Sequence, residues 1–546
     1  MKNIFTTKAL IAFTSVFGLL FYLAWAGFAI GDTRFDDAFM IARYAKHWLA
    51  GHGFSWNLSD GPSYGVTSPA YLYLVTFLMW ITKAPDALLL SLTSFTCGLL
   101  TVGILVYLGF WIQTAPWREK SWLPLLVVPA MVLMPSFRVH SLSGMETTFG
   151  LLALSLHAFC MLAASRSPTT RNLAFCLATG FLSYSIRPDA GLYALAMPPL
   201  FFVATDRGNL KFAIRYALIL VGVMACGLLV NKSLFGNPLP LPFFAKKAGF
   251  YQGYVGMGKW NAMKEMLIFF SSALPFLLAV IASASRKHAL QLLAIAVPIF
   301  LTFLYFSRVT QVMGWDARYY YPSLVLVVVA AYITLLTAQP EPKPATNLES
   351  MAPRYLAALV LLIPLISVPL RDKAIEVWAD KVIGHPQAVE ATTQYQQPAN
   401  LPPKLGWWES ISGFRDLLAR LPGDAVVAAS EYGYIGAEFP EMTIVDMVGL
   451  HDPKVAFNGF SAEYLLSREP DVIWFPHKDY THAVAQIEDS PAFRDSFEYF
   501  PMAFDYGIAV NKQSPRYQAV KTAAREQFTE SYGAGLDDYL AAPVGN

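Results

Sequence analysis

Twelve apolar runs punctuate the first two thirds of the chain, at about residues 8 to 30, 66 to 82, 87 to 112, 121 to 137, 147 to 165, 172 to 186, 189 to 204, 211 to 231, 266 to 284, 288 to 306, 319 to 338 and 354 to 370. Many match the thickness of bilayer hydrocarbon, where only structures that satisfy their own backbone hydrogen bonds persist, so they read as helices. Composition agrees: 546 residues, 55% apolar and 14% charged, with mean hydropathy +0.42, hold more apolar side chains than one soluble core needs. The chain is therefore expected to be a polytopic α-helical membrane protein. A net charge of +2, segregated by loop, gives no reason to expect nucleic acid as a ligand. Cys97, Cys160, Cys176 and Cys226 all lie in apolar runs without metal-ligand spacing, and read as small core residues. Lys2 and Lys8 precede a first run without a small-residue cleavage site, which predicts an uncleaved first span.

Charge placement sets the topology. The N-terminal lysines put that end inside and the loop from Gly31 to Gly65 outside. If all twelve runs crossed, Arg166 and Arg171, then Arg207, Lys211 and Arg215, then Arg286 and Lys287 would also lie outside, against the positive-inside rule. Treating the run from 66 to 82 as an in-plane or re-entrant helix repairs every later loop and leaves about eleven spans. The loops beginning at Gly31, Arg138, Arg187, Asn231 and Ser307 then share the outer face with everything after Leu370.

Residues 1–370 are thus expected to form the membrane domain, 371–403 a linker, and 404–546 a C-terminal α/β domain on the outer face. In that last part, strand-like runs at Ala425 to Ala429, Thr443 to Val445, Asp471 to Phe475 and Gly507 to Val510 alternate with helix-like segments such as Ile411 to Leu421 and Ala462 to Arg468. No internal repeat is visible.

The outer loops carry the chemistry. Asp36 and Asp37 open an amphipathic segment and suit either a general base or a divalent-cation ligand; the alternative is that they only cap the helix. Glu146 stands where a span begins, Arg187 and Asp189 flank a proline at a helix break, and Arg318 opens another span. Ionisable groups at membrane depth are costly unless they serve a site, so several on one face suggest a polar cavity rather than separate anchors. Phe235 to Pro240, with Asn237 inside a Gly- and Pro-stiffened turn, is followed by Lys246 and Lys247, which suits an anionic lipid headgroup or ordinary interfacial snorkelling.

Asp36-Asp37-Ala38-Phe39, Gly65-Val66-Thr67-Ser68-Pro69, Ser143-Gly144-Met145-Glu146-Thr147, Arg187-Pro188-Asp189 and Phe235-Gly236-Asn237-Pro238-Leu239-Pro240 with Ala245-Lys246 occur in that order. Together they resemble polyprenyl-phosphate-dependent glycosyltransferases of the GT-C fold. The nearest likeness is to the terminal β-1,2-arabinofuranosyltransferases of mycobacterial cell walls and their bacterial relatives, including those that modify pilin. The resemblance spans residues 31 to about 325 and continues weakly into Asp446 to Asp452. It implies an enzyme of the bacterial inner membrane, with its active site and C-terminal domain in the periplasm, that transfers a sugar with inversion from a polyprenyl-phosphate donor to a glycan or protein acceptor. Carried onto this sequence, it makes Asp36 the general base, Asp37 its partner or a metal ligand, and Glu146 a further acidic group. Lys246, Arg187 and Arg318 would hold the donor phosphate, and Thr67, Ser68, Asp189 and Asn237 would line the substrate cavity. A divalent cation on Asp36 and Asp37 stays open, because base catalysis needs none. Ser63-Tyr64 stands where the family pattern leads one to expect an acid, which leaves the sugar open among D-arabinofuranose, mannose and 4-amino-arabinose, the last two with lipid A or protein as acceptor. A lipid-linked sugar transporter is the rival class, but it should show inverted repeats and polar groups at the midplane.

Overall fold

The computed structural model describes residues 2–113, 122–246, 259–308, 311, 314–337, 368–378, 406–476, 480–500, 507–533 and 535. The described apolar runs are helical. Helix α1 (Lys2–Ala29) leads into α2 (Asp36–Leu49), which carries Asp36 and Asp37 in its first turn and Lys46 and His47 in its last, each charge complementing the helix dipole. Helix α3 (Pro69–Thr82) starts on a proline, whose fixed φ and missing N–H suit the first turn, and α4 (Asp86–Ile112) follows. The bundle continues through a pair bent by 69° (Leu123–Val132 and Pro135–Leu142), then Thr147–Arg166, Thr170–Ile186, Gly191–Thr205, Leu210–Phe235, Lys259–Ser283, Ala289–Phe306 and Ser323–Leu336.

Among the described residues six helices are long and apolar enough to cross a bilayer, or seven with the bent pair counted as one. The higher number expected from sequence also counts shorter helices such as Ser323–Leu336 and the run from 354 to 370, most of which lies outside the described residues. Helix α3 begins at Ser68 beside the cavity described below. It ends just before Asp86, which pairs with Lys46 of α2 at 2.7 Å, so both its ends lie at one end of the bundle. At 14 residues it is shorter than the helices that are long and apolar enough to cross. At the opposite end, Arg166 donates to the carbonyls of Trp111 and Ile112, and Thr337 meets His288 at 3.1 Å. The basic stretches beginning at Arg166, Arg207 and Arg286 therefore gather away from α2.

The C-terminal part is a five-stranded sheet in the order β2-β1-β3-β5-β4, formed by β1 (Val426–Ala429), β2 (Thr443–Asp446), β3 (Val472–Trp474), β4 (Phe497–Phe500) and β5 (Ile508–Asn511). The first three strands are parallel, and β5 runs antiparallel to both β3 and β4. Strand β4 is an addition to the sequence reading. Of the expected linker only the helix at 368–378 is described.

Sheet and bundle share one core, which runs from Val427, Ile444 and Ile473 to Phe39, Leu72 and Val75 of α2 and α3. Its polar centre is a clamp between α2 and the short helix Gly433–Glu438. At the amino end of that helix, both carboxylate oxygens of Asp36 accept backbone N–H groups, from Gly433 at 2.8 Å and Tyr434 at 2.7 Å. At its carboxyl end the fully buried Arg43 donates to the carbonyls of Gly436, Phe439, Met442 and Trp56 and to the side-chain oxygen of Asn57, with its guanidinium 4.8 Å from the Trp56 ring. A Cβ on Gly433 would lie 2.0 Å from the Asp36 carbonyl oxygen, so only glycine lets the two helices approach this closely.

Arg43→Ala strands several buried carbonyl groups at about 1–3 kcal/mol each. Thermal unfolding followed by tryptophan fluorescence should then show the C-terminal domain melting apart from the bundle, at a lower temperature than in the wild type. A single transition at the wild-type midpoint would contradict the clamp.

Candidate active site

Between the α2 end of the bundle and the C-terminal domain lies a cavity of about 970 Å³. Asp37, Glu146, Lys246, Arg187, Arg318, Thr67, Ser68 and Asp189 all line it, brought together from segments between residues 37 and 318 of the sequence. Two expected members do not line it. Asp36 turns away to cap the Gly433–Glu438 helix, and Asn237 stays in its own turn, with its amide 3.5 Å from the Phe235 carbonyl. Successive helical residues point about 100° apart, so the aspartate pair splits its duties: Asp36 faces the C-terminal domain and Asp37 faces the cavity. Asp36, expected from the resemblance to be the base, therefore faces the C-terminal domain and not the cavity. The pair likewise does not form one metal-ligand set. Among the described residues no three His, Cys, Asp or Glu side chains converge to hold an ion.

Tyr319 is the hub of the cationic wall. Lys246 donates to its hydroxyl at 3.2 Å and lies 5.3 Å from its ring centre, with Arg187 at 5.5 Å and Arg318 at 6.0 Å. Glu146 offsets part of this charge by accepting from Arg318 at 2.8 and 2.9 Å, with Arg187 at 3.6 Å; Asp189 takes the other side of Arg187 at 3.1 Å. Arg308 also lines the cavity, so its cations outnumber these two carboxylates. The buried Arg187 keeps one terminal nitrogen without a hydrogen-bond partner among the described residues. Burial tends to raise the Glu146 carboxyl, but Arg318 and Arg187 outweigh it and hold the group below the usual range.

Local backbone aims these groups. Arg187 sits where Thr170–Ile186 stops and Pro188 starts a single turn. Arg318 and Tyr319 follow Asp316 and Ala317, both left-handed at φ 52° and 61°, a pairing that non-glycine residues seldom adopt. Two bonds hold this strained turn: Ala317 N–H donates to Glu265 at 2.6 Å, and His140 Nε2 donates to the Asp316 carbonyl at 3.0 Å. Such strain persists where the surroundings enforce it, as at functional sites. Sequence reading gave no sign of Tyr319, His140 or Glu265, because their roles depend on contacts between distant segments.

Asp37 has the opposite electrostatic setting to Glu146. Burial raises its carboxyl above the ordinary range; Arg318 and Lys246 pull it back only in part, and Glu146 adds to the rise. Asp446 organises the facing loop of the C-terminal domain by accepting from the Tyr432 hydroxyl and the N–H groups of Val448, Gly449 and His451. That loop stacks His451 on Trp56 at 3.9 Å, and a Cβ on Gly65 would strike His451 Nδ1 at 2.0 Å.

Residues 387–532 match a family model described as a domain of unknown function (DUF8728). No curated protein matches the chain. Among solved structures, ArnT from Cupriavidus metallidurans in the apo state aligns with a TM-score of 0.50 at 11% identity, covering 90% of this chain and 97% of that one. The chain has an ArnT-like GT-C fold. ArnT from the same organism bound to undecaprenyl phosphate aligns with a TM-score of 0.49 at 12% identity and the same coverage.

Glu146→Gln removes the shared counter-charge of two buried arginines and should lower stability in detergent by roughly 3–5 kcal/mol. A calorimetric midpoint equal to that of the wild type would show that these arginines do not need Glu146.

Proposed function

We propose that the chain transfers a sugar from a polyprenyl monophosphate donor to a hydroxyl of an acceptor, with inversion, at the outer face of a bacterial inner membrane. One observation carries this reading: a cluster of Lys246, Arg187 and Arg318 around Tyr319 shares a cavity with Asp37, a carboxylate whose proton affinity burial has raised. Such a pairing suits displacement of a phosphate by a hydroxyl. The acceptor oxygen attacks the anomeric carbon from the face opposite the phosphate and loses its proton to Asp37 as the carbon–oxygen bond to phosphate breaks. The departing phosphate keeps the bond's electrons, and the cations stabilise its growing charge. Thr67 and Ser68 offer hydroxyls to the substrate between the two. Lipid phosphate is already a fair leaving group, so positioning and charge stabilisation carry most of the work. The balance calls for no metal step.

For the donor sugar, the likeness of the ordered motifs to arabinofuranosyltransferases supports D-arabinofuranose. The positive-inside pattern supports the periplasmic side: the basic stretches at Arg166, Arg207 and Arg286 lie at the end of the bundle away from the cavity.

The test is transfer from synthetic polyprenyl-phosphate arabinofuranose, 4-amino-arabinose and mannose by purified protein in detergent. Asp37→Asn should lower kcat by about 10²–10⁴-fold while folding normally. Full activity in that variant would overturn the base assignment. A base must be ionised to act, so activity falls as pH drops through the Asp37 pKa. Because that pKa is raised, the acidic limb of the rate profile should lie above the ordinary aspartate value of about 3.9, and it should vanish in the variant.

A further inference from the structure

The three cations around Tyr319 are held in different ways. Arg187 and Arg318 are fixed inside the bundle by the carboxylates of Glu146 and Asp189. Lys246 carries its charge on a flexible four-carbon stem and meets a hydroxyl, that of Tyr319 at 3.2 Å, so its aim depends on its backbone. That backbone leaves the single turn Pro242–Ala245, a helix too short to stand without tertiary support. Where it begins, the turn is tied to the membrane domain. Leu241 N–H donates to the Tyr64 carbonyl at 2.8 Å, the Tyr64 ring stacks on Phe235 at 4.9 Å, and the Asn231 amide donates to the Tyr64 hydroxyl at 3.1 Å.

The other side of the turn rests on the C-terminal domain, against the helix Pro453–Asn458. Leu241 and Ala245 are buried with Ala456, and the rings of Phe244 and Phe457 lie 4.7 Å apart. The small side chains of Ala245 and Ala456 let the two backbones approach closely. The helix is itself anchored to its domain. Asp452 caps its amino end, accepting from the Lys454 and Val455 N–H groups at 2.8 and 3.3 Å, and its second oxygen accepts from the Tyr464 hydroxyl at 2.8 Å. Gly449, left-handed at φ 83°, lies against the same helix, and a Cβ there would be 2.8 Å from the Ala456 nitrogen. A continuous run of packed and hydrogen-bonded groups thus leads from β2 through the Asp446 loop and this helix to Lys246.

We propose that the helix Pro453–Asn458 is a positioning element for Lys246, so that the docked C-terminal domain completes the phosphate site of the membrane domain. This rests on the reading of the cavity as the place of the donor phosphate. Ala456 and Phe457 do not line the cavity and act through the turn they support. Fixing the backbone of a long side chain before the ligand arrives reduces the conformational freedom lost when its charge is paired. The region matched by the domain of unknown function, residues 387–532, thereby acquires a part in holding the donor although it supplies none of the three cations around Tyr319.

Binding of undecaprenyl phosphate to the full-length protein in detergent, titrated by native mass spectrometry, tests this without turnover. Lys246→Ala should weaken binding by about 10- to 100-fold, the worth of one charge-assisted hydrogen bond. Phe457→Ala, which removes one aromatic contact, should weaken it by about 3- to 10-fold, and Phe457→Tyr, which keeps the ring, should bind as the wild type does. Phe457 is 44% exposed, so its truncation opens no buried core. Ala456→Val, which pushes the turn away, should act in the same direction as Phe457→Ala. In the Lys246→Ala background neither change should weaken binding further, because each acts through the lysine. Unchanged affinity in Phe457→Ala and Ala456→Val, or losses that add to that of Lys246→Ala, would overturn the proposal and leave the phosphate site standing. Undiminished binding in Lys246→Ala would overturn the phosphate reading of the cavity and this proposal with it.

Discussion

The arrangement depends on one clamp. Helix α2 offers a carboxylate to the amino end of the Gly433–Glu438 helix and a guanidinium to its carboxyl end, so buried charges meet partial charges of opposite sign. The lengths agree: Asp36 and Arg43 are seven residues apart, a rise of about 10 Å, and the six-residue helix between them spans about 9 Å. Among the described residues neither ion forms a salt bridge across this interface. Each is satisfied by several backbone groups, which offset part of the cost of burying it in a shared hydrophobic core. Because Asp37 is the next residue after Asp36, the contact that docks the domain also fixes the group that faces the cavity.

From that fixed point the cavity is built by opposition. The membrane wall gathers cations around Tyr319, using a break between helices for Arg187 and a left-handed turn for Arg318. The facing wall comes from loops at the carboxyl ends of three parallel strands, ordered by Asp446 through its ring of backbone donors. Burial raises Asp446 to about 6, as it does Asp36, and in both cases the hydrogen bonds from backbone N–H groups work against that rise. Two carboxylates therefore serve as scaffolding, while Asp37, with Arg318 and Lys246 acting on its carboxyl, faces the cavity.

Much of this was legible in the sequence, and the reasons differ by scale. Apolar run length located the helices, because solvation by lipid constrains every residue of a run. Residue type and loop position were enough to gather Glu146, Arg187, Lys246 and Arg318, since charge at membrane depth is rarely incidental. The roles of Asp36 and Asp37 could not be separated, because adjacent residues differ only in the direction in which the helix turns them. Arg43 was invisible for a related reason: it looks like an ordinary polar residue of an amphipathic helix until the Gly433–Glu438 helix is laid against it. Tyr319 likewise acquires meaning only once distant segments meet.

The central claim is that the cavity beside Tyr319 receives a lipid monophosphate. The most direct measurement is an electron cryomicroscopy map of the full-length protein with undecaprenyl phosphate. The account predicts phosphate density within hydrogen-bonding reach of Lys246 and Arg318, with the lipid chain leaving towards the bilayer. Phosphate density at the opposite end of the bundle, beside Arg166 or Arg286, with the Tyr319 cavity empty, would contradict it.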